Sequence, residues 1–390
     1  MNVEPVIKHG HILDNRDEYN TDINDLIYLL SCAVNDTIPD NKKVDNMNLS
    51  VVYHLASFHS VISTVAFALE KVIELPYDYD QSKKKAIRKL ALFDIERNKI
   101  LSCFTKEKIW YLPLKGIVLN DIYPQYGMRE MADNDILCDP VRMQDVKIIM
   151  ESLGYRCDKL GGMIHDVYSK HIISFEIHRS LFYEDRYPVF TEYYKNVKSR
   201  LLCCDNPYEF RFRLEDLYIY LLAHEYMHYV TGGTGIRSLL DIYVFLKHYS
   251  GQLDWNYLEH ELKSLCLSDF EKMNRELSQK AFSGGLMSEE EKQVFMYFVS
   301  SGAHGIEEHS WKNRLSKDLS GDDSDISKRK YLFSRIFIHE EALRERYPLV
   351  YRYRILLPLL YVYRFIKAVF IKPKKIWAEY KRIKQFKYTN

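Results

Sequence analysis

The chain has no C-x-x-C pair, and its seven cysteines (Cys32, Cys103, Cys138, Cys157, Cys203, Cys204, Cys266) are scattered and odd in number. That usage argues against a disulfide framework and a thiolate zinc site, and fits a reducing compartment. An excess of one charge is also missing: 55 Lys and Arg stand against 54 Asp and Glu, so a whole-protein electrostatic grip on nucleic acid is not indicated. Long hydrophobic runs are absent too. The most apolar late stretch, Ile355 to Ile371, is broken by Pro358, Arg364 and Lys367 and does not read as a spanning helix. Residues Met1 to Asp14 lack the apolar core of a signal peptide. A cytoplasmic protein is the expectation. Neither a low-complexity tract nor an internal repeat appears. What the chain does have is 390 residues, 47% of them hydrophobic, enough for two or three domains with a sizeable core.

Periodicity divides the chain. Residues 17 to about 108 carry helical spacing: Leu26, Leu29 and Leu30, then Val52, Leu55, Val61 and Val65, then Ile87, Leu90, Leu92 and Ile95, with a break at Pro76. From Ile109 the pattern turns to strands. Ile109 to Leu114 is a short apolar, aromatic run, and Ile117 to Tyr123 a short helix stopped by Pro124. Asp135 to Cys138 is a second strand, and Asp139-Pro140 is an N-cap with proline at N1, opening a helix to about Leu153. Met163 to Ser169 and Ile172 to His178 read as a hairpin joined by Lys170-His171. Helical spacing then returns in Leu214 to Val230, Ile236 to His248, Trp255 to Leu265 and Asp269 to Phe282. The expected fold is α+β: a helical N-terminal region (1–108), a small mixed-sheet core (109–205), a helical substrate-side domain (206–311), a charged, Ser-rich linker (312–330) and a basic helical segment (331–390).

The sharpest local feature is Met131-Ala-Asp133-Asn-Asp135-Ile-Leu137. Two aspartates two apart at the mouth of a strand project from one face, and crowded carboxylates are relieved by a divalent cation. Alternation along Ser174-Phe-Glu-Ile-His178 sends Phe175 and Ile177 to one face, Glu176 and His178 to the other. If the two strands are neighbours, three carboxylates converge, as in sites for in-line displacement at phosphorus. By itself the Asp-x-Asp pattern equally fits an exposed turn.

Leu112-Pro-Leu-Lys-Gly116, Tyr123-Pro124, Arg129, Asp133-Asn-Asp135-Ile-Leu137, Leu153-Gly-Tyr155 and Phe175-Glu-Ile-His178 together resemble an uncharacterised bacterial nucleotidyltransferase family of the polymerase-β-like superfamily. Leu221-Leu-Ala-His224, His228, Gly235-Ile-Arg237 and Leu239-Leu-Asp241 resemble its helical part, so the likeness runs from about residue 20 to 300. It implies transfer of a nucleoside monophosphate from an ATP-like triphosphate to an acceptor hydroxyl, with pyrophosphate released. Asp133, Asp135 and Glu176 are then the catalytic carboxylates holding two Mg²⁺ ions, with Mn²⁺ an alternative. Lys115 and Gly116 are the phosphate contacts, with Arg129 a second candidate that equally fits a salt bridge with Glu130 or a neighbour; His178, His224 and His228 are candidates for the acceptor cleft, His178 equally fitting a role in ordering Glu176. The superfamily usually carries Gly-Ser or Gly-Gly where this chain has Lys115-Gly116-Ile117, so Lys115 stands in for a serine hydroxyl. The acceptor (a small molecule, a sugar, a protein hydroxyl or a tRNA end) is not specified.

A competing motif is His224-Glu225-Tyr-Met-His228, the zinc-hydrolase pattern on a helix. Thr231 to Gly235 lacks a third histidine, and Leu214, Leu217 and Leu221 share the face of both imidazoles, so packed or cleft-lining histidines are expected, with Glu225 facing solvent. A catalytically silent nucleotide-binding module is a further alternative. Arg237 and Asp241, four apart on a helix, are expected to pair with each other; His165 and His171 are expected at the surface. For the basic C-terminal segment, docking on the protein is expected ahead of peripheral contact with an anionic membrane or RNA.

Overall fold

The computed structural model describes residues 16–303 apart from 185, residues 305–306, 309–310, 313 and 343, and residues 347–371. The chain divides into two compact units, Met1–Ile306 and Glu307–Asn390. Helices α1 (Arg16–Val34), α2 (Asn41–Asp45), α3 (Leu49–His59), α4 (Ile62–Leu69) and α5 (Tyr77–Lys106) open the first unit. Every residue of α4 is buried, because α1, α3 and α5 enclose it. Pro76 precedes α5 directly, where its missing N–H costs nothing. Along α5 the buried stripe is Leu90, Phe93, Ile100 and Phe104; Leu92 and Ile95, expected to face the core, are exposed. Apolar residues occur all round this helix, and the sheet beneath it selects which of them are covered.

That sheet comprises β1 (Tyr111–Pro113), β2 (Asn134–Cys138), β3 (Arg156–Lys159), β4 (His165–Lys170) and β5 (Ile173–His178), in the order β1-β2-β5-β4-β3. Only the β2–β5 pairing is parallel. Between β1 and β2 lies α6 (Gly116–Asn120); between β2 and β3 lies α7 (Met143–Ser152), entered through a 3-10 turn, Pro140–Arg142, whose Val141 N–H donates to the Asp139 carboxylate at 3.2 Å. One face of the sheet is closed by α5 and α7, which bury Ile136, Tyr168, Phe175 and Ile177. Strand β3 is polar and lies at the sheet's edge, which is why periodicity did not mark it.

Beyond the sheet come α8 (Pro188–Tyr193) and a ribbon of β6 (Leu201–Cys203) and β7 (Phe210–Phe212). Then follow α9 (Leu214–Thr231), α10 (Ile236–Tyr249), α11 (Trp255–Ser264), α12 (Ser268–Ser283) and α13 (Glu289–Ser301). The fold is α+β, with helical regions on both sides of the sheet segment in the chain. A capping box between Ser288 and Glu291 starts α13. In the second unit the described helices are α14 (Pro348–Arg352) and α15 (Leu357–Ile371). Among the described residues no helix is long and apolar enough to cross a membrane. The expected linker at 312–330, residue 313 aside, lies outside the described residues, as do 372–390.

Candidate active site

The uncovered face of the sheet forms one wall of a cavity of about 440 Å³, and α9 and α10 contribute the other. In the parallel register Asp135 lies directly opposite Glu176, and Leu137 opposite His178. Alternation along both strands therefore brings Asp135, Glu176 and His178 to the cavity, with Asp133 just before β2. Asp135 is 5% exposed. Its Oδ1 accepts from Lys115 Nζ at 2.9 Å and stands 2.9 Å from His178 Nε2. Burial opposes its charge, yet Lys115 and His178 hold its carboxyl well below the ordinary range. Glu176 goes the other way. Burial and then the charges of Asp135 and Asp133 push it up to about 7. Asp133 is also raised, by burial and by Asp135. Three carboxylates thus share a pocket with too little positive charge to neutralise them.

Lys115 reaches Asp135 from a strained backbone, with φ 45° in the left-handed region. The residue after it must be glycine for a different reason. A Cβ on Gly116 would come within 2.6 Å of Arg129 Nη1. Arg129 itself is 9% exposed, and its Nε and Nη2 donate to Asp241 Oδ1 and Oδ2 at 2.7 and 2.8 Å. Tyr123 donates to the same Oδ1 at 2.7 Å. This corrects the expected Arg237–Asp241 pair: the loop after α6 packs on α10, and its bidentate arginine takes the carboxylate instead. Glu130 accepts from Ser63 N–H at the start of α4, at 2.9 Å. Arg237 remains on the cavity wall.

His224 and His228 also line the cavity, their Nε2 atoms 3.3 Å apart. Burial, then the charges of Lys115 and His228, holds His224 well below the ordinary imidazole range, so it is neutral. Glu225 is not solvent-facing: it is 6% exposed, faces Asn274 and Ser238, and is pushed up to about 7 by burial. In a helix, positions 224 and 225 diverge by about 100°, and here the first faces the cavity while the second is covered by α10 and α12. His165, expected at the surface, instead sits opposite His178 in the β4–β5 register and lines the cavity. Counting back from the Lys170-His171 turn was the signal for it, since the turn sets the register. His171 is exposed, with φ 55° at the turn.

Asp133, Asp135 and Glu176 offer the carboxylate oxygens a hard divalent cation takes and stand in one cavity, but the oxygens of all three do not lie within 4.8 Å of one another. Ligand atoms of His165, Glu176 and His178 do. That is the one such cluster among the described residues, so His224 and His228 have no third protein ligand there for the zinc-hydrolase reading.

The model of an uncharacterised nucleotidyltransferase family matches residues 45–283, and the chain belongs to that family. The match spans the sheet, both cavity walls and α9 to α12. No curated protein and no solved structure matches the chain.

Proposed function

We propose that this chain is a metal-dependent enzyme that transfers a nucleoside monophosphate from an ATP-like triphosphate to an acceptor hydroxyl. The observation that carries the reading is the parallel β2–β5 register, which sets Glu176 beside Asp135 with Asp133 close by, at the mouth of a cavity. Family membership supports the reaction class, since a nucleotidyltransferase domain implies a nucleoside triphosphate substrate.

Asp133, Asp135 and Glu176 would hold the cations, two Mg²⁺ or Mn²⁺, which supply charge neutralisation at the triphosphate and a more acidic acceptor hydroxyl. The remaining work belongs to the side chains. Lys115 and His178 fix the Asp135 carboxylate in one position, so it enters the reaction already oriented. Glu176, ordinarily half-ionised near neutral pH in this surrounding, accepts the acceptor's proton as its oxygen attacks the α-phosphorus. The bond from the α-phosphorus to the bridging oxygen breaks, and pyrophosphate leaves. Gly116 leaves the backbone uncovered beside Arg129 Nη1, where triphosphate oxygens are received. Neutral His224, and His228 beside it, face the cavity on the acceptor side, where imidazoles can hydrogen-bond an acceptor.

The test is incubation with α-labelled nucleoside triphosphates, Mg²⁺ and host lysate. Wild-type protein is expected to move label to an acceptor and release pyrophosphate, and Asp135→Asn to lose roughly 10³-fold or more. Label transfer that survives the substitution, in protein with an unchanged circular dichroism spectrum, sinks the assignment. Nucleotide binding without pyrophosphate release identifies a catalytically silent module instead.

A further inference from the structure

The cavity's cations are not equivalent. Lys115 is committed to Asp135 at 2.9 Å, and Arg129 is committed through two of its three nitrogens to Asp241. For Arg237 no hydrogen bond or ion pair exists among the described residues; its half-buried side chain stands on the cavity wall, with the charges of Asp241 and Glu130 nearby. A charged group so placed is costly unless something neutralises it. Helical spacing offers it Asp241, but that carboxylate is filled by Arg129 and Tyr123. The position on the helix adds to the cost. Arg237 stands in the first turn of α10, which holds no acidic residue and whose first N–H, that of Ile236, donates to His59 Nδ1 at 3.2 Å. A cation at a helix N-terminus opposes the macrodipole, whereas an anion there is favoured. The Gly235 Cα is sealed by Gly302 and His59, so no capping side chain fits.

An arginine without an ion pair asks for an anion, and the cavity is where it would come from. Arg129 sharpens the location. Its unengaged nitrogen, Nη1, packs over Gly116, and its charge lies close enough to Arg237 to lower that guanidinium's pKa. Arg237 in turn is near enough to Asp133 to offset part of the rise that burial and Asp135 impose on that carboxyl. The two arginines therefore stand on the cavity beside the carboxylate group.

We propose that Arg237, with Arg129 Nη1, is the seat of the β- and γ-phosphates of the substrate, and so of the departing pyrophosphate. This rests on the nucleotidyltransfer reading of the same cavity. It gives each wall a part of one ligand: the carboxylates take the metal-bearing α-phosphate end and the arginines take the leaving group. Arg237 is the anion ligand free to respond, while Arg129 is held rigid by Asp241.

Isothermal titration with inorganic pyrophosphate and Mg²⁺ tests it without knowledge of the acceptor. Wild-type protein is expected to bind pyrophosphate, and Arg237→Met to bind it roughly 10- to 100-fold more weakly, with Arg237→Lys between them. Affinity for a nucleoside monophosphate is expected to stay within about twofold, because that ligand carries no β-phosphate. Without ligand, Arg237→Met is expected to melt no lower than wild type, since it removes an unpaired charge; a structural arginine would lower the midpoint. Wild-type affinity for pyrophosphate in Arg237→Met, or an equal loss for the monophosphate, overturns the seat. Label transfer by the wild-type enzyme stands apart as the test of the underlying reading. Transfer with an undisturbed pyrophosphate affinity in the variant removes this seat alone, and no transfer and no pyrophosphate binding by wild type removes both.

Discussion

On the sheet wall of the cavity stand Asp133, Asp135 and Glu176; facing them from the helical side stand Arg237, His224 and His228. The sheet wall is short of positive charge and the helical wall is short of negative charge, yet the two do not neutralise each other through direct ion pairs. Among the described residues that line the cavity, Lys115 is the one Lys or Arg paired with a sheet carboxylate, and Asp241 the one helical carboxylate that receives an arginine, from the loop after α6. Two surfaces with opposite unmet charge, held apart by a cavity, are matched to a ligand bearing both signs. A polyphosphate with its divalent cation is such a ligand. On the proposed reading, the difference means that the charge complementarity here is addressed to substrate rather than to the fold.

The comparison breaks most sharply at Glu176. Glu176→Gln keeps the shape of the sheet wall but removes its proton acceptor, and is expected to lower nucleotidyl transfer roughly 10³-fold in a labelled-triphosphate assay. Retention of near wild-type rates would falsify a chemical role for that wall. Next in size is Arg129→Met, which leaves Asp241 buried without its guanidinium. A loss of about 3–5 kcal/mol in urea unfolding is expected, far more than for Arg237→Met. Equal effects of the two arginine substitutions would erase the distinction between a structural and a ligand-directed cation.

Glu225 sharpens the contrast between chemistry and packing on α9. Its carboxyl is raised to about 7 by burial, above the ordinary glutamate value. The folded state therefore holds a proton that the unfolded chain releases near pH 4.5, so stability falls as pH rises through the interval up to about 7 and is level above it. Glu225→Gln is expected to flatten that fall and to stabilise the protein at pH 8 by on the order of 2 kcal/mol, with little change at pH 4, by urea melts at both values. The smallest effect expected is none: His224→Ala leaves the zinc content of purified protein unchanged. Stoichiometric zinc lost in that variant would move the metal from the sheet wall to α9.

Much of this was legible because it is local. The helices from α9 to α12 lie within a residue or two of the ranges read from apolar spacing, and the alternation in Ser174 to His178 assigned Glu176 to the open face. The polar edge strand β3 and the three-residue strands β6 and β7 carried too little pattern to register. Charge pairing was the least legible level. Spacing offered Arg237 to Asp241, but the winner, Arg129, comes from a segment that only tertiary packing brings close. Burial of Glu225 failed for the same reason: a glutamate next to two histidines says nothing of Asn274, which arrives on α12.

The parallel pairing of β2 with β5 has one more consequence. Strand β5 lies between β2 and β4, so its register alone decides which of its side chains share a face with Asp135. A slip of one residue in that pairing would turn Phe175 and Ile177 to the cavity and bury Glu176 and His178 among the rings beneath α5. On the proposed reading such chains would be catalytically mute, and recovery of label transfer during refolding would report the docking of a single strand.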